Sequence, residues 1–247
     1  MMTLAFDFAS AREIKNLAQA VNVAGKQRMY TQRMLKDYVM VGMGNTFGNP
    51  KDDLNNIMDL FEEDMESLYR FTKDEATKES IQNVFMQWAL LKEILTIPPR
   101  KELAGKLQKE LDVLLKMADN TTKLFAKQTG KKSGEIIRIS GRQRVLSQRI
   151  ASLYMLKVWG IDDPEFTQKM NSAMDLFKTS LQTLIDYENN TPEISKLLVK
   201  VKRSFMFFEI MNKSKSKFIP SLIYKKSNDI LKDMNRVTSL YVALQNN

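Results

Sequence analysis

Apolar residues recur at three- and four-residue intervals along nearly the whole chain, as in Leu107, Leu111, Leu114, Leu115 and Ala118. This is the period of a helix with one buried face. Long alternating runs rich in Val, Ile and Thr are missing, so sheet is not expected. Breakers and caps interrupt the pattern at Gly42 to Pro50, Pro98-Pro99, Asp162-Asp163-Pro164, Thr191-Pro192 and Pro220. They predict helices near 12–42, 51–73, 76–96 and 101–128, then near 132–160, 163–188, 192–216 and 221–245. Short connections between four antiparallel helices imply an up-down bundle, here one in each half. Gly130 and Gly134 mark the midpoint, where the fourth helix is expected to run almost straight into the fifth.

The halves are related. "GKQRMYTQR" at Gly25–Arg33 returns as "GRQRVLSQR" at Gly141–Arg149, an offset of 116 with five of nine positions identical. The same offset carries "MDLF" from Met58–Phe61 to Met174–Phe177, Asn55 to Asn171, Leu68 to Leu184, and Leu115-Lys116 to Leu231-Lys232. "VFMQW" at Val84–Trp88 resembles "SFMFF" at Ser204–Phe208 with an offset of 120, so small insertions separate the anchors. The predicted fold is therefore all-α: two tandem antiparallel four-helix bundles from an internal duplication, with units at 12–130 and 131–247.

The repeated nonapeptide breaks the hydrophobic rule inside its own helix. At about 100° per residue, Arg28 shares a line with Leu17, Val21, Ala24, Leu35 and Val39, and Arg144 with Ile137, Ser140, Ala151 and Met155. Both arginines thus sit near the middle of an apolar stripe. Gln32 and Gln148 lie beside them one turn on, and Gly25 and Gly141 leave a gap one turn back. A guanidinium aimed at a core needs a carboxylate, water or a bound anion, and its planar fork suits flat oxyanions. Three readings follow: a ligand site, internal pairing with acids such as Asp59 and Asp175 of the repeated "MDLF", or an oligomer contact. Arg33 has Asp37 four residues on and reads as a surface ion pair. Met40, Met43, Met58 and Met65 read as plastic core rather than a metal box.

Composition narrows the chemistry. Histidine and cysteine are absent, which removes the commonest general base, the commonest transition-metal ligand and all thiol chemistry. No nucleophile motif or glycine-rich phosphate loop is present, so neither catalysis nor a cofactor is expected. The net charge of +9 is one-sided: residues 1–130 carry 18 basic and 18 acidic side chains, and 131–247 carry 20 and 11. The densest basic part, Lys196 to Lys226, could be a solvated face or could dock an acidic partner or a membrane. Basic and aromatic residues do not interleave as in a nucleic-acid module, so nucleic acid is not an expected partner. No stretch reaches the ~20 apolar residues that span a bilayer. Residues 1–11 end in Ala9-Ser10-Ala11 and read as the remnant of a signal peptide beginning upstream, or equally as a frayed helix start.

"NVAGKQRMYTQRM" (Asn22–Met34) and "RISGRQRVLSQRI" (Arg138–Ile150) resemble the first-helix motif of the PilJ-type domain. That domain is the N-terminal part of type IV pilus chemotaxis transducers and is related to the NarX-type nitrate/nitrite sensor domain. The first copy keeps Asn22, Ala24, Gly25, Arg28, Met29 and Arg33, and the second Gly141, Arg144, Ser147 and Arg149. Arg138, Ser140 and Val145 depart from the pattern. The resemblance implies a periplasmic sensory protein without catalytic activity, with a cytoplasmic location as the alternative. It implies a small oxyanion of the nitrate or nitrite class held by Arg28, Arg144, Gly25 and Gly141, with Gln32 and Gln148 adjacent. It also implies a membrane receptor or kinase as partner. In the relatives two such helices meet across a dimer axis; here the two would meet within one chain. The alternative is a ligand-free helical protein that docks through its basic C-terminal half.

Overall fold

The computed structural model describes residues 13–130, 132–161, 163–213 and 219–244. The expected signal-peptide remnant at 1–11, Asp162, part of the basic stretch and position 245, the expected end of the eighth helix, lie outside the described residues. The rest is helical: α1 (Leu17–Gly42), α2 (Pro50–Phe71), α3 (Glu75–Thr96), α4 (Lys101–Gln128), α5 (Lys132–Val158), α6 (Pro164–Ile185), α7 (Pro192–Lys213) and α8 (Pro220–Ala243). The boundaries follow local chemistry. Asn16 accepts a hydrogen bond from the Gln19 amide and starts α1 later than position 12. Asp74 and Asp163 cap α3 and α6. Proline opens α2, α6, α7 and α8, where the missing N–H costs no helical bond. α4 does not run on into α5: Gly130, at φ 63°, reverses the chain between them.

Within each copy neighbouring helices pack as a ring: α1–α2–α3–α4 and α5–α6–α7–α8. The most extensive packing in the molecule, however, joins α1 to α5, flanked by smaller α4–α5 and α1–α8 contacts. Contacts rise together along the two helices, from Gly25 opposite Arg144 to Lys36 with Gln148 and Tyr38 with Trp159, so α1 and α5 run parallel. α1 is consequently enclosed by α2, α4 and α5, and 18 of its 26 residues are buried. An amphipathic surface helix would leave about half its circumference in water.

The repeated "MDLF" supplies a matching core element in each copy. Phe61 and Phe177 are fully buried, the first against Trp88 and the second stacked on Phe205 with centroids 4.2 Å apart. Met40, Met58 and Met65 are buried as expected, with Met43 half-buried at the edge. Asp59 and Asp175 instead face solvent, which removes them as partners for the arginines. Spacing within "MDLF" explains this: with Met and Phe inward, the Asp between them points away from the bundle.

The ring of Trp88 lies against Phe61 inside the first copy, and that of Trp159, just after α5, lies against Tyr38 of α1, so the two report on the first bundle and on the α1–α5 interface. Because the halves share the α1–α5 interface, urea denaturation of Trp88→Phe and Trp159→Phe variants should give coincident fluorescence transitions. Two separated midpoints would show that the copies fold independently.

Candidate functional site

The nonapeptides look at each other. Arg28 and Arg144 are 2% and 1% exposed, and they meet across the α1–α5 interface. Arg28 Nη1 donates to Asp119 Oδ1 of α4 at 2.6 Å, and its Nη2 points to the Arg138 carbonyl at 3.5 Å. Arg144 Nη1 donates to Asn235 Oδ1 of α8 at 3.2 Å, and its Nη2 to the Asn22 carbonyl at 3.3 Å. Positions 119 and 235, like 22 and 138, are separated by the repeat offset of 116. The site is therefore pseudo-twofold symmetric, each guanidinium reaching across to the backbone of the other copy.

The glycines make that crossing physically allowed. A Cβ placed on Gly25 would lie 3.1 Å from Arg144 Nη2 and 3.4 Å from Arg28 Nη2. On Gly141 it would lie 3.1 and 3.3 Å from the same two atoms. Both guanidinium tips thus gather in the space that two missing side chains leave. The hydroxyls of the motif serve their own helix: Thr31 donates to the Arg28 carbonyl and Ser147 to the Arg144 carbonyl, each at 2.9 Å.

Gln32 and Gln148 are buried but serve other cations of the interface. Gln32 Oε1 accepts from Arg149 Nη1 at 3.4 Å, and its amide nitrogen donates to Thr31. Gln148 Oε1 accepts from Lys36 Nζ at 2.6 Å, and its nitrogen donates to the Ser227 carbonyl at 2.9 Å. Arg33 does not pair with Asp37. Its guanidinium forks onto Asp53 of α2, with Nε to Oδ2 at 2.9 Å and Nη2 on Oδ1. Asp37 is fully buried beside Lys36, Asp53 and Tyr224, because α5 and α8 cover the side of α1 that a lone bundle would expose. In the second copy Arg149 forks onto Asp112 at 2.5 and 3.0 Å.

Like charges enclosed together leave an electrostatic mark. Burial, then proximity to Arg28, pushes the Arg144 guanidinium down to about 10. Burial lowers Arg28 as well, and Asp119 opposes that. Asp119 lies below the ordinary carboxylate range: burial works to raise it, and Arg28 and Lys123 more than offset that. The Nε atoms of both arginines are buried and find no acceptor among the described residues. From outside, a groove of about 390 Å³ between α4, α5 and α6 reaches Arg28 and Asp119, lined also by Lys116, Arg142 and Arg149. Among the described residues no cluster of three metal-ligating side chains occurs.

Lys36 is a second polar anchor that sequence reasoning missed. Fully buried, its ammonium bonds Gln148 and Asn228 at 2.6 Å each and sits 4.2 Å from the centre of the Tyr224 ring. Burial pushes it down to about 8, against the opposing pull of Asp37. Asp119 and Asn235 also escaped notice, because a repeat comparison that tracks identities passes over an Asp facing an Asn.

Fold and site together define a duplicated helical-bundle domain whose halves share one polar seam. The family model described as type IV pili methyl-accepting chemotaxis transducer N-term (PilJ) matches residues 10–89 and 125–205. The chain belongs to that family and carries its domain, one of signal transduction in chemotaxis, in tandem. Comparisons with curated proteins and with solved structures return no match.

Two measurements follow. Gly25→Ala and Gly141→Ala should each destabilise the fold by roughly 1–3 kcal/mol in urea titration, since the new methyl meets a buried guanidinium. Gly105→Ala in α4, with nothing within 4 Å of the added carbon, should instead gain up to about 1 kcal/mol. The second concerns Lys36, whose folded-state value of about 8 lies below the ordinary 10.5. Between these values the unfolded chain binds the extra proton, so stability should rise as pH increases from about 8 to 10. A Lys36→Met variant should lack this rise, measured as the difference between the two pH–stability curves.

Proposed function

We propose that this chain is a sensory ligand-binding domain in which the α1–α5 seam clamps one small oxyanion of the nitrate or nitrite class. Its units are 12–130 and 131–247, it works in the periplasm, and it passes its state to a membrane receptor or kinase. The observation that carries the reading is the convergence of Arg28 and Arg144 on one glycine-lined space, with one carboxylate for two guanidiniums. Burying a cation without a counter-charge is costly, and a planar anion between the two forks would relieve that cost. The unused Nε donors and the groove reaching Arg28 support the same reading. Family membership supports the sensory role, and the ligand class rests on the NarX-type relationship that the motif of the first helix implies.

Among the described residues no helix is long and apolar enough to cross a membrane. Ligand state would pass on through packing, and the α1–α5 seam is the element that an anion would tighten, since both forks lie there. A second reading has one observation behind it. The outer face of α7 exposes Lys196, Lys200 and Arg203 together with Val199, Met206 and Ile210, a basic and apolar surface suited to docking.

Titration calorimetry of the full chain with sodium nitrate and sodium nitrite decides between them. Binding should appear in the wild type and fall at least about tenfold in Arg28→Gln and Arg144→Gln. No heat in the wild type, or equal binding in both variants, contradicts the clamp. Salt-sensitive binding to anionic vesicles without any anion response would then favour the α7 surface.

A further inference from the structure

We propose that Asn235 fixes the charge of the ligand, making the Arg28–Arg144 site selective for monoanions over dianions; this rests on the anion-binding reading above. The duplication is symmetric in geometry and asymmetric in charge. Asp119 and Asn235 occupy equivalent places, each 91 residues beyond the arginine it contacts. One is a carboxylate at 2.6 Å and the other an uncharged amide at 3.2 Å. The remaining contacts, the carbonyls of Arg138 and Asn22, are neutral in both halves.

The neighbouring charges do not alter the balance. Arg138 is paired with Glu135, Asp64 near Arg144 is offset by Lys26 at 3.7 Å, and Arg142 near Arg28 and Asp119 is half-buried on the open groove, where water reaches it. Lys123 reaches Asp119 Oδ2 at 2.8 Å from a largely exposed position, so it is solvated independently. The buried seam is left with one surplus positive charge, centred on Arg144. A monoanion neutralises it. A dianion would leave a net negative charge in a low-dielectric interior, the situation that buried sites avoid.

The two charge-setting residues come from the last helix of each copy, outside the segments that the family model matches. Ligand charge is thus governed separately from the motif that supplies the forks. Asp119 acts as a resident counter-ion that fills half of the demand, and Asn235 leaves the other half to the ligand. Asp and Asn are nearly isosteric, so exchanging them tests charge with little change in shape.

The test uses the full chain in three forms: wild type, Asp119→Asn and Asn235→Asp. Each is titrated with sodium nitrate and sodium sulfate at matched ionic strength, and each melting midpoint is recorded without added nitrate. In the wild type, nitrate should bind and sulfate should bind at least about tenfold more weakly. Asn235→Asp should lose the nitrate response and melt at a higher temperature, its carboxylate replacing the ligand. Asp119→Asn should gain at least about tenfold in sulfate affinity. Nitrate binding that survives Asn235→Asp, or sulfate binding as tight as nitrate in the wild type, overturns the charge assignment and leaves the clamp standing. No anion response in the wild type or in Asp119→Asn overturns both together.

Discussion

Two guanidiniums held against each other in a core are the constraint around which this molecule is organised. Like charges at such range repel, and burial strengthens the repulsion. The structure answers with several devices at once. Asp119 neutralises one side, backbone carbonyls of the opposite copy accept from both, and paired glycines give the tips room. The carbonyl contacts and the shared glycine space need α1 and α5 side by side. The duplication is therefore a condition for the site, since neither copy alone presents both halves of it.

The polar seam continues beyond the arginines, and its symmetry decays along the helices. Arg149 takes Asp112 of α4, whereas Arg33 takes Asp53 of its own copy. The position equivalent to Asp112 is Asn228, and it accepts from Lys36. Lys36 has no charged counterpart, since Ser152 stands at its equivalent place. The two copies have thus exchanged acids, amides and cations, so that equivalent positions meet different partners, some within a copy and some across the interface. A symmetric pair of bundles could slide or rotate about its axis, whereas these mismatched contacts give the seam one register.

Much of the fold was legible because it rests on local signals. Prolines at helix starts, Gly42 to Pro50 and the apolar period placed all eight helices, with Asn16 moving the first start by a few residues. The repeat was legible for the same reason, since identical strings need no geometry. The positions of Arg28, Arg144, Gly25 and Gly141 followed from the helical period, and the structure brings these four together. Their partners did not follow. Asp119 and Asn235 lie on other helices, 91 residues away, and only packing selects them over Asp59 and Asp175. Asp37 misled for a related reason: four residues from Arg33, it fits a surface pair until α5 and α8 cover that face. Local spacing names which face a residue occupies, and the duplication decides what that face meets.

The claim that matters most is that a single monovalent anion completes the seam between Arg28 and Arg144. A crystal grown in sodium bromide and measured at the bromine absorption edge tests it directly, because bromide is a heavy monoanion that guanidinium forks accept. The seam described here predicts one strong anomalous peak between Gly25 and Gly141, within hydrogen-bond reach of both Nη2 atoms. A seam closed by direct contact, without a peak there while bromide orders elsewhere on the surface, would contradict it.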